Sequence, residues 1–133
     1  MIINNRQGND ILKGGEHHIA FAVNTEGYND SGFAGVISRN YWNELANAGK
    51  CELGTVLTKE VNGVHFYALV CHSLNNGWQD QEAVICKCFN AIKTDEPIAS
   101  ISIGTGFIGM IQGANFAEIK AGMEKSEKKI ILY

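Results

Sequence analysis

The sequence lacks a strong excess of either charge, and it also lacks long apolar runs. Eleven Lys and Arg residues against 14 Asp and Glu residues give a formal net charge of −3. A broad basic field that would attract nucleic acid regardless of its sequence is therefore absent. The apolar stretches are far shorter than the roughly 20 residues of a membrane-spanning helix, and residues 1–6 show no signal-peptide pattern. We expect a cytoplasmic protein with no membrane contact and no general affinity for nucleic acid.

Metal-binding patterns are also lacking. The cysteines are Cys51, Cys71, Cys86 and Cys88. Their spacing matches no compact zinc pattern, and residues two apart on a helix, such as Cys86 and Cys88, point in different directions. Neighbours in a strand face opposite sides, so we interpret the adjacent His17 and His18 as solvated residues at a strand start. The sequence predicts structural thiols, no metal site and no cofactor.

The chain has a size and apolar content typical of one domain. It has 133 residues, of which 45% are hydrophobic, enough to bury a single substantial core. It contains no internal repeat, linker or low-complexity segment. We expect one domain over residues 1–133 and a monomer.

Strand-like and helix-like segments alternate along the chain. Strands are predicted at residues 1–3, 18–24, 54–61, 64–71, 98–103 and 128–133, and helices at 33–48, 79–93 and 114–125. Asn62-Gly63 between the third and fourth strands is a strong hairpin signal. The alternation predicts an α/β fold, a three-layer α/β/α domain with a central mixed sheet, whose ligand crevice lies at the carboxyl ends of the strands.

Two glycine-bearing loops each follow a β-like run and lead into a helix-like stretch. They cover residues 29–36 (Asn-Asp-Ser-Gly-Phe-Ala-Gly-Val) and residues 104–109 (Gly-Thr-Gly-Phe-Ile-Gly). Glycine lets backbone N–H groups approach phosphate oxygens, and a helix N-terminus adds unpaired donors and a favourable dipole. Either loop alone also fits an ordinary strand-to-helix turn. Together they predict a nucleotide diphosphate held from both sides.

Four short segments, taken in order, resemble the macrodomain family over nearly the entire chain. They are Gly8-Asn9-Asp10-Ile11, Val23-Asn24-Thr25-Glu26-Gly27, Gly32-Phe33-Ala34-Gly35-Val36-Ile37 and residues 103–109. The second segment followed by the third looks most like the compact branch that contains terminal ADP-ribose glycohydrolases and ADP-ribose-1″-phosphate phosphatases. In that branch an Asn-x-x-Gly precedes a Gly-x-Gly-Ile-Ala stretch. Here a few extra residues intervene at 28–31, and Ala34 replaces one of the glycines.

This resemblance implies an ADP-ribose site. Asp10 would accept a hydrogen bond from the adenine amine, the Ile11 backbone would lie beneath the ring, and Asn24 would face the distal ribose. Tyr133 would either pack against the adenosine side or cap the core. The resemblance implies that the two loops hold the ribose and phosphates through Gly32, Phe33, Ala34, Gly35, Val36, Gly104, Thr105, Gly106, Phe107, Ile108 and Gly109, with Phe33 or Phe107 covering the ribose.

The residues expected of the glycohydrolases are missing. These relatives would use a lysine at the end of the hairpin's second strand, where this chain has Cys71 and His72, and an aspartate in the late glycine loop. His72 could act as a general base with Cys71 as a nucleophile beside it, although a strand-end histidine is more often a hydrogen-bonded surface group. Asn24 and Asp30 are the other catalytic candidates, although an aspartate beside Asn and Ser in a loop more often has a turn-forming role.

Three functions are therefore open. The intact loops and missing catalytic groups favour a protein that binds ADP-ribose, or an ADP-ribosylated macromolecule, without turning it over. The alternatives are a hydrolase that removes ADP-ribose from a macromolecule or phosphate from ADP-ribose-1″-phosphate, and a scaffold that binds a protein partner. Under the first two functions, nucleic acid would be a partner only as an ADP-ribosylated end.

Overall fold

The computed structural model describes residues 1–101 and 113–133. Within this part of the chain, six strands form one sheet in the order β1-β6-β5-β2-β4-β3. The strands are β1 (Ile2–Asn5), β2 (His18–Asn24), β3 (Val56–Val61), β4 (Val64–His72), β5 (Ile98–Ser100) and β6 (Ile130–Leu132). The helices are α1 (Gly32–Asn40), α2 (Gln81–Ala91) and α3 (Phe116–Lys125), with short 3-10 helices at Ile11–Lys13 and Asn43–Ala46. Of the neighbouring strands, β3 and β4 are antiparallel and the others are parallel. The predicted mixed sheet is confirmed.

Helices cover both faces of the sheet. Ala20 and Ala22 of β2 join a core with α2 and α3, whereas Ile19, Phe21 and Val23 join a core with α1. All seven residues of β2 are buried. Strand residues alternate between faces, so a continuous apolar run satisfies two cores at once. This confirms the three-layer α/β/α architecture and the prediction of a strand covered on both sides.

The predicted hairpin is confirmed. Asn62 and Gly63 connect β3 to β4 with φ angles of 50° and 82°. Two consecutive positive φ angles match the twist of the flanking strands, and Asn-Gly is the pair that adopts them most readily. The register runs from Val61 opposite Val64 to Val56 opposite Leu69.

The predicted helix over residues 33–48 is wrong in its second half. The backbone leaves helical geometry at Tyr41, where φ is −134°, and a separate 3-10 turn follows. The side chain of Asn29 donates to the Leu45 carbonyl at 3.1 Å, and its backbone N–H donates to the Ala46 carbonyl at 3.2 Å. These bonds come from a loop that precedes α1, so the periodicity within the segment could not reveal them.

The interpretation of His18 as a solvated residue is also wrong. His18 is buried, with its Nδ1 2.7 Å from the Tyr67 hydroxyl and its Nε2 2.6 Å from Glu96 Oε2. Its neighbour His17 is exposed. The partners of His18 come from β4 and from the segment before β5, and both are distant in sequence.

The thiols of Cys71 and Cys88 are buried in the core shared with α2 and α3. Burial raises the pKa of Cys88 to about 12 and raises the pKa of Cys71 well above its usual value. In residues 1–101 and 113–133, no cluster of three His, Cys, Asp or Glu residues is arranged to hold a metal ion. The same residues contain no helix long and apolar enough to cross a membrane.

Gly122 of α3 packs tightly against α2 and supplies a stability test. A Cβ atom added at Gly122 would lie 2.5 Å from the Glu82 carbonyl oxygen and 3.0 Å from Ile85 Cβ. We expect Gly122→Ala to lower the free energy of unfolding by about 1–2 kcal/mol, since the overpacking cost exceeds the gain in helix propensity. Urea denaturation measures this change. The exposed Lys120→Ala on the same helix is the control and should stay within about 0.5 kcal/mol of the wild type; equal stability of Gly122→Ala and wild type would contradict the tight crossing.

Candidate functional site

The candidate site lies where parallel strands β2 and β4 end side by side. Residues 25–31 (loop A) follow β2 and lead into α1, whereas residues 73–80 (loop B) follow β4 and lead into α2. Asn24 and His72, the last residues of the two strands, are register partners across a local irregularity. The Thr25 N–H donates to the His72 carbonyl at 2.9 Å. The structure therefore brings together two of the predicted catalytic residues. They lie at the carboxyl ends of the strands, where α/β proteins bind ligands.

Asn24 shapes loop A. Its side-chain Nδ2 donates to the Tyr28 carbonyl at 2.7 Å, and its Oδ1 accepts from the Tyr28 N–H at 3.0 Å. The residue is 6% exposed. These two bonds close the turn of the loop, so a contact with a distal ribose would use the remaining hydrogen-bonding capacity of the amide.

Glu26 joins loop A to loop B. Its carboxylate accepts from the Ser73 hydroxyl at 2.7 Å, from the Leu74 N–H at 2.8 Å and from Asn75 Nδ2 at 3.4 Å. Burial acts to raise the pKa of Glu26, but the bonds from Leu74 and Ser73 outweigh it and lower the pKa to about 2. The carboxylate is therefore ionised at neutral pH and holds the two loops together.

His72 is a neutral, stacked imidazole. It is 5% exposed, and its ring lies on Trp78 with centroids 5.1 Å apart and planes 16° apart. Burial lowers the pKa of His72, and the nearby Glu26 charge opposes this only in part. Cys71 Sγ lies 3.9 Å from His72 Nδ1, but the raised pKa of this fully buried thiol disfavours the thiolate that a nucleophile needs.

The first glycine loop enters α1 through closely packed backbone. Gly32 begins the helix with φ 60°, and Gly35 lies so close to loop A that an added Cβ atom would be 2.6 Å from the Asp30 carbonyl oxygen. Between these glycines, Phe33 is half-buried and packs edge-on against Phe21 with centroids 5.5 Å apart. Ala34 is buried and Val36 is half-buried. The loop thus enters the helix through a tight strand-to-helix turn, and its role in holding phosphate stays a prediction.

Asp30 lies along the flank of α1. Its carbonyl accepts from Arg39 Nη1 at 3.3 Å, and it lines a shallow cavity with Ser38 and Asn43. Its catalytic role stays a prediction, as does that of Asn24 and His72.

Asp10, Ile11 and Tyr133 gather near the carboxyl ends of β1 and β6. Asp10 is exposed and its Oδ1 caps the first 3-10 helix by accepting from the Leu12 N–H at 2.9 Å, while Ile11 is buried. Tyr133 is 4% exposed, and its hydroxyl donates to Glu16 Oε1 at 3.2 Å and accepts from Arg6 Nη1 at 3.1 Å. This placement favours the interpretation of Tyr133 as a cap on the core.

The second glycine loop lies outside the described residues. Its predicted ligand-binding residues are Gly104, Thr105, Gly106, Phe107, Ile108 and Gly109. Their role stays a prediction.

A separate apolar cavity of about 280 Å³ lies at the opposite, amino ends of β2 and β4. It is lined by Leu12, Tyr41, Val64 and Phe66, among others. None of the predicted ligand-binding residues that the structure describes lines this cavity. It is therefore not the candidate site.

Glu26, Ser73 and Trp78 were not predicted as site residues from the sequence. Glu26 falls inside the Asn-x-x-Gly segment that carried the resemblance, so that motif was the available signal for it. Its hydrogen bond to Ser73 spans 47 positions, and no local sequence pattern predicts a side-chain contact over that separation.

The buried His72 predicts acid sensitivity. Because its pKa in the folded protein is below the usual 6.5, the unfolded chain takes up the proton first as the pH falls, and the folded state loses stability. We expect the free energy of unfolding to decrease between about pH 7.5 and about pH 5.5, and to decrease less in His72→Gln. Urea denaturation of both proteins at both pH values measures the difference. An identical pH dependence would show that His72 is not held neutral by burial.

Comparisons with known proteins concern the fold. No protein-family model and no curated protein matches the sequence. Among solved structures, the macrodomain of Thermus aquaticus DarG is 15% identical with a TM-score of 0.68, covering 100% of this chain and 97% of that chain. The macrodomain of Mycobacterium tuberculosis DarG is 14% identical with a TM-score of 0.69, covering 100% and 97%.

A longer protein is also similar. An alphavirus structure described as P23pro-zbd is 14% identical with a TM-score of 0.65, and it matches 98% of this chain. This chain spans only 21% of that protein. The two DarG matches cover the whole of this sequence at TM-scores of 0.68 and 0.69. The chain therefore has the macrodomain fold, as the sequence predicted.

Proposed function

We propose that this protein binds ADP-ribose, free or attached to a macromolecule, at the carboxyl ends of β2 and β4, and that it does not turn the ligand over. The macrodomain fold and the resemblance of the sequence motifs to ADP-ribose-binding proteins support the ligand. The loop that enters α1 between Gly32 and Gly35 supports the mode of binding, because its backbone is close-packed and lies at a helix start. Asp10 would read the adenine amine with the carboxylate oxygen that does not cap Leu12.

The non-catalytic part of the proposal rests on the chemical state of the two residues at the end of β4, Cys71 and His72. Where glycohydrolases of the similar branch would place a lysine, this chain has a fully buried Cys71 thiol and a neutral His72 stacked on Trp78. Neither group supplies a nucleophilic amine or a positive charge at neutral pH. A covalent lysine mechanism is therefore unsupported at this position.

One observation favours a hydrolase as the second candidate. Neutral imidazole is the form of histidine that accepts a proton, so His72 is in the state that a general base needs at neutral pH. Such an enzyme would also depend on Asn24 and Asp30. It would have to give water access to a ring that is now 95% covered, since His72 is 5% exposed.

Isothermal titration with ADP-ribose tests the proposal. We expect a dissociation constant on the order of micromolar, and no change in ADP-ribosylated protein or in ADP-ribose-1″-phosphate incubated with the protein and followed by chromatography. Product formation would replace the proposal with the hydrolase. Absence of binding would contradict both and favour a scaffold for a protein partner.

Gly35 offers a test of the loop itself. In Gly35→Ala the new methyl group would meet the Asp30 carbonyl at 2.6 Å and Arg39 Nη1 at 2.9 Å, which forces loop A away from the helix start. We expect the affinity for ADP-ribose to fall at least about tenfold, because the backbone donors move away from the phosphates. Calorimetry measures this loss.

Gly122→Ala is the matched control for Gly35→Ala. It places an equally crowded methyl group, 2.5 Å from the Glu82 carbonyl oxygen, on a helix away from loop A. It should bind ADP-ribose as the wild type does while losing stability. Equal affinities in all three proteins would show that loop A does not contact the ligand.

A further inference from the structure

We propose that Glu26 is a positioning residue for the candidate site, because its carboxylate fixes loop B on loop A and thereby keeps Trp78 stacked on His72. This inference rests on the proposed function for its effect on ligand affinity. Its effect on His72 can be measured without any ligand.

The backbone on either side of Glu26 is anchored independently of loop B. The Thr25 carbonyl accepts from the Cys51 N–H at 2.8 Å, and the Gly27 carbonyl accepts from the Ala48 N–H at 3.1 Å. The Asn24 side chain holds the Tyr28 backbone on the same loop. The backbone of loop A is therefore held in place without loop B, and the carboxylate of Glu26 extends from it towards loop B.

Loop B is organised around the Ser73 hydroxyl, which is bonded to Glu26. The Ser73 hydroxyl donates to Glu26 and accepts from the Asn75 N–H at 3.1 Å and the Asn76 N–H at 3.0 Å. Ser73 also exchanges two backbone bonds of 2.9 Å with Gly77, which closes the turn just before Trp78. Displacing Ser73 would therefore displace the whole turn that carries the indole.

Among the described residues, the side-chain hydrogen bonds that join loop A to loop B end on the Glu26 carboxylate. They require two acceptor oxygens, since the Ser73 hydroxyl donates to Oε2 and the Leu74 N–H donates to Oε1. A glutamine has one oxygen and one NH₂ group, so one of these donors would face another donor. A charged acceptor also makes the stronger bonds. The site thus requires a glutamate rather than any polar residue of the same size.

The stack of Trp78 on His72 links the hydrogen bonds between Glu26 and loop B to a measurable property, the pKa of His72. Burial lowers the pKa of His72, and Trp78 provides the aromatic surface against its ring. If loop B separates from loop A, water reaches the imidazole and the pKa of His72 rises towards its usual 6.5. Removing the Glu26 charge alone would act in the opposite direction, because that charge raises the pKa of His72. The direction of the change therefore distinguishes positioning from simple electrostatics.

The experiment compares Glu26→Gln, Ser73→Ala and Ser73→Thr with wild type. The His72 pKa is measured by NMR titration of the imidazole, and ADP-ribose affinity is measured by calorimetry. We expect Glu26→Gln and Ser73→Ala to raise the His72 pKa and to weaken ADP-ribose binding at least about fivefold. Ser73→Thr retains the hydroxyl and should restore both properties.

Glu96→Gln is the matched control. Glu96 is also a carboxylate that accepts a short side-chain hydrogen bond, from His18 at 2.6 Å, but at the other end of β2. Its replacement should leave the His72 pKa and the ADP-ribose affinity unchanged. A His72 pKa that is unchanged or lowered in both Glu26→Gln and Ser73→Ala would overturn the positioning role, whatever happens to binding, because Ser73→Ala leaves the Glu26 charge in place. If wild type fails to bind ADP-ribose, the proposed function fails, and the His72 pKa still decides the role of Glu26.

Discussion

β2 has a layer of helices on each face and a parallel strand on each side. Its seven residues are all buried, and it pairs with β4 along its whole length and with β5 at Ile19 and Ala20. Any shift of its register by one residue would exchange the residues of the two cores. Because β2 and β4 are parallel neighbours, their ends bring loops A and B together. The candidate site is therefore a consequence of how the central strand is buried.

The chemistry of that site follows from two titratable groups whose surroundings act in opposite senses on their charge. Hydrogen bonds keep Glu26 ionised, whereas burial keeps His72 uncharged. Both groups are committed to structural partners, Glu26 to loop B and His72 to Trp78. A site whose ionisable side chains are already engaged by structural partners is better suited to recognising a ligand through backbone groups than to transferring a proton to it.

Local patterns in the sequence predicted the parts of the fold that local interactions determine. The bounds of β2 follow from a continuous apolar run, and the β3–β4 hairpin follows from Asn62-Gly63, whose conformation needs only those two residues. Beyond the end of α1, by contrast, Asn29 from the preceding loop bonds to the 3-10 turn that replaces the predicted helix. Periodicity within residues 33–48 carries no information about that bond.

The candidate site was predictable to the same degree. The loop at residues 29–36 and His72 could be proposed as site residues because motif order and strand ends are visible in the sequence, and their roles stay predictions. The hydrogen bond between Glu26 and Ser73 could not be predicted, because it joins two loops through side chains 47 positions apart. His18 shows the same limit, since Tyr67 and Glu96 convert an apparently solvated residue into a buried one.

The hairpin also has a consequence for how the chain reaches this structure. Among the neighbouring strand pairs of the described sheet, β3 and β4 alone are joined by a tight turn, while the parallel pairs need long crossovers or join distant parts of the chain. Closing a short loop costs little entropy and a β-hairpin forms within microseconds, whereas non-local pairings form slowly. We therefore expect β3 and β4 to pair early and to serve as the template on which β2 docks, so that the edge of the sheet forms before its centre.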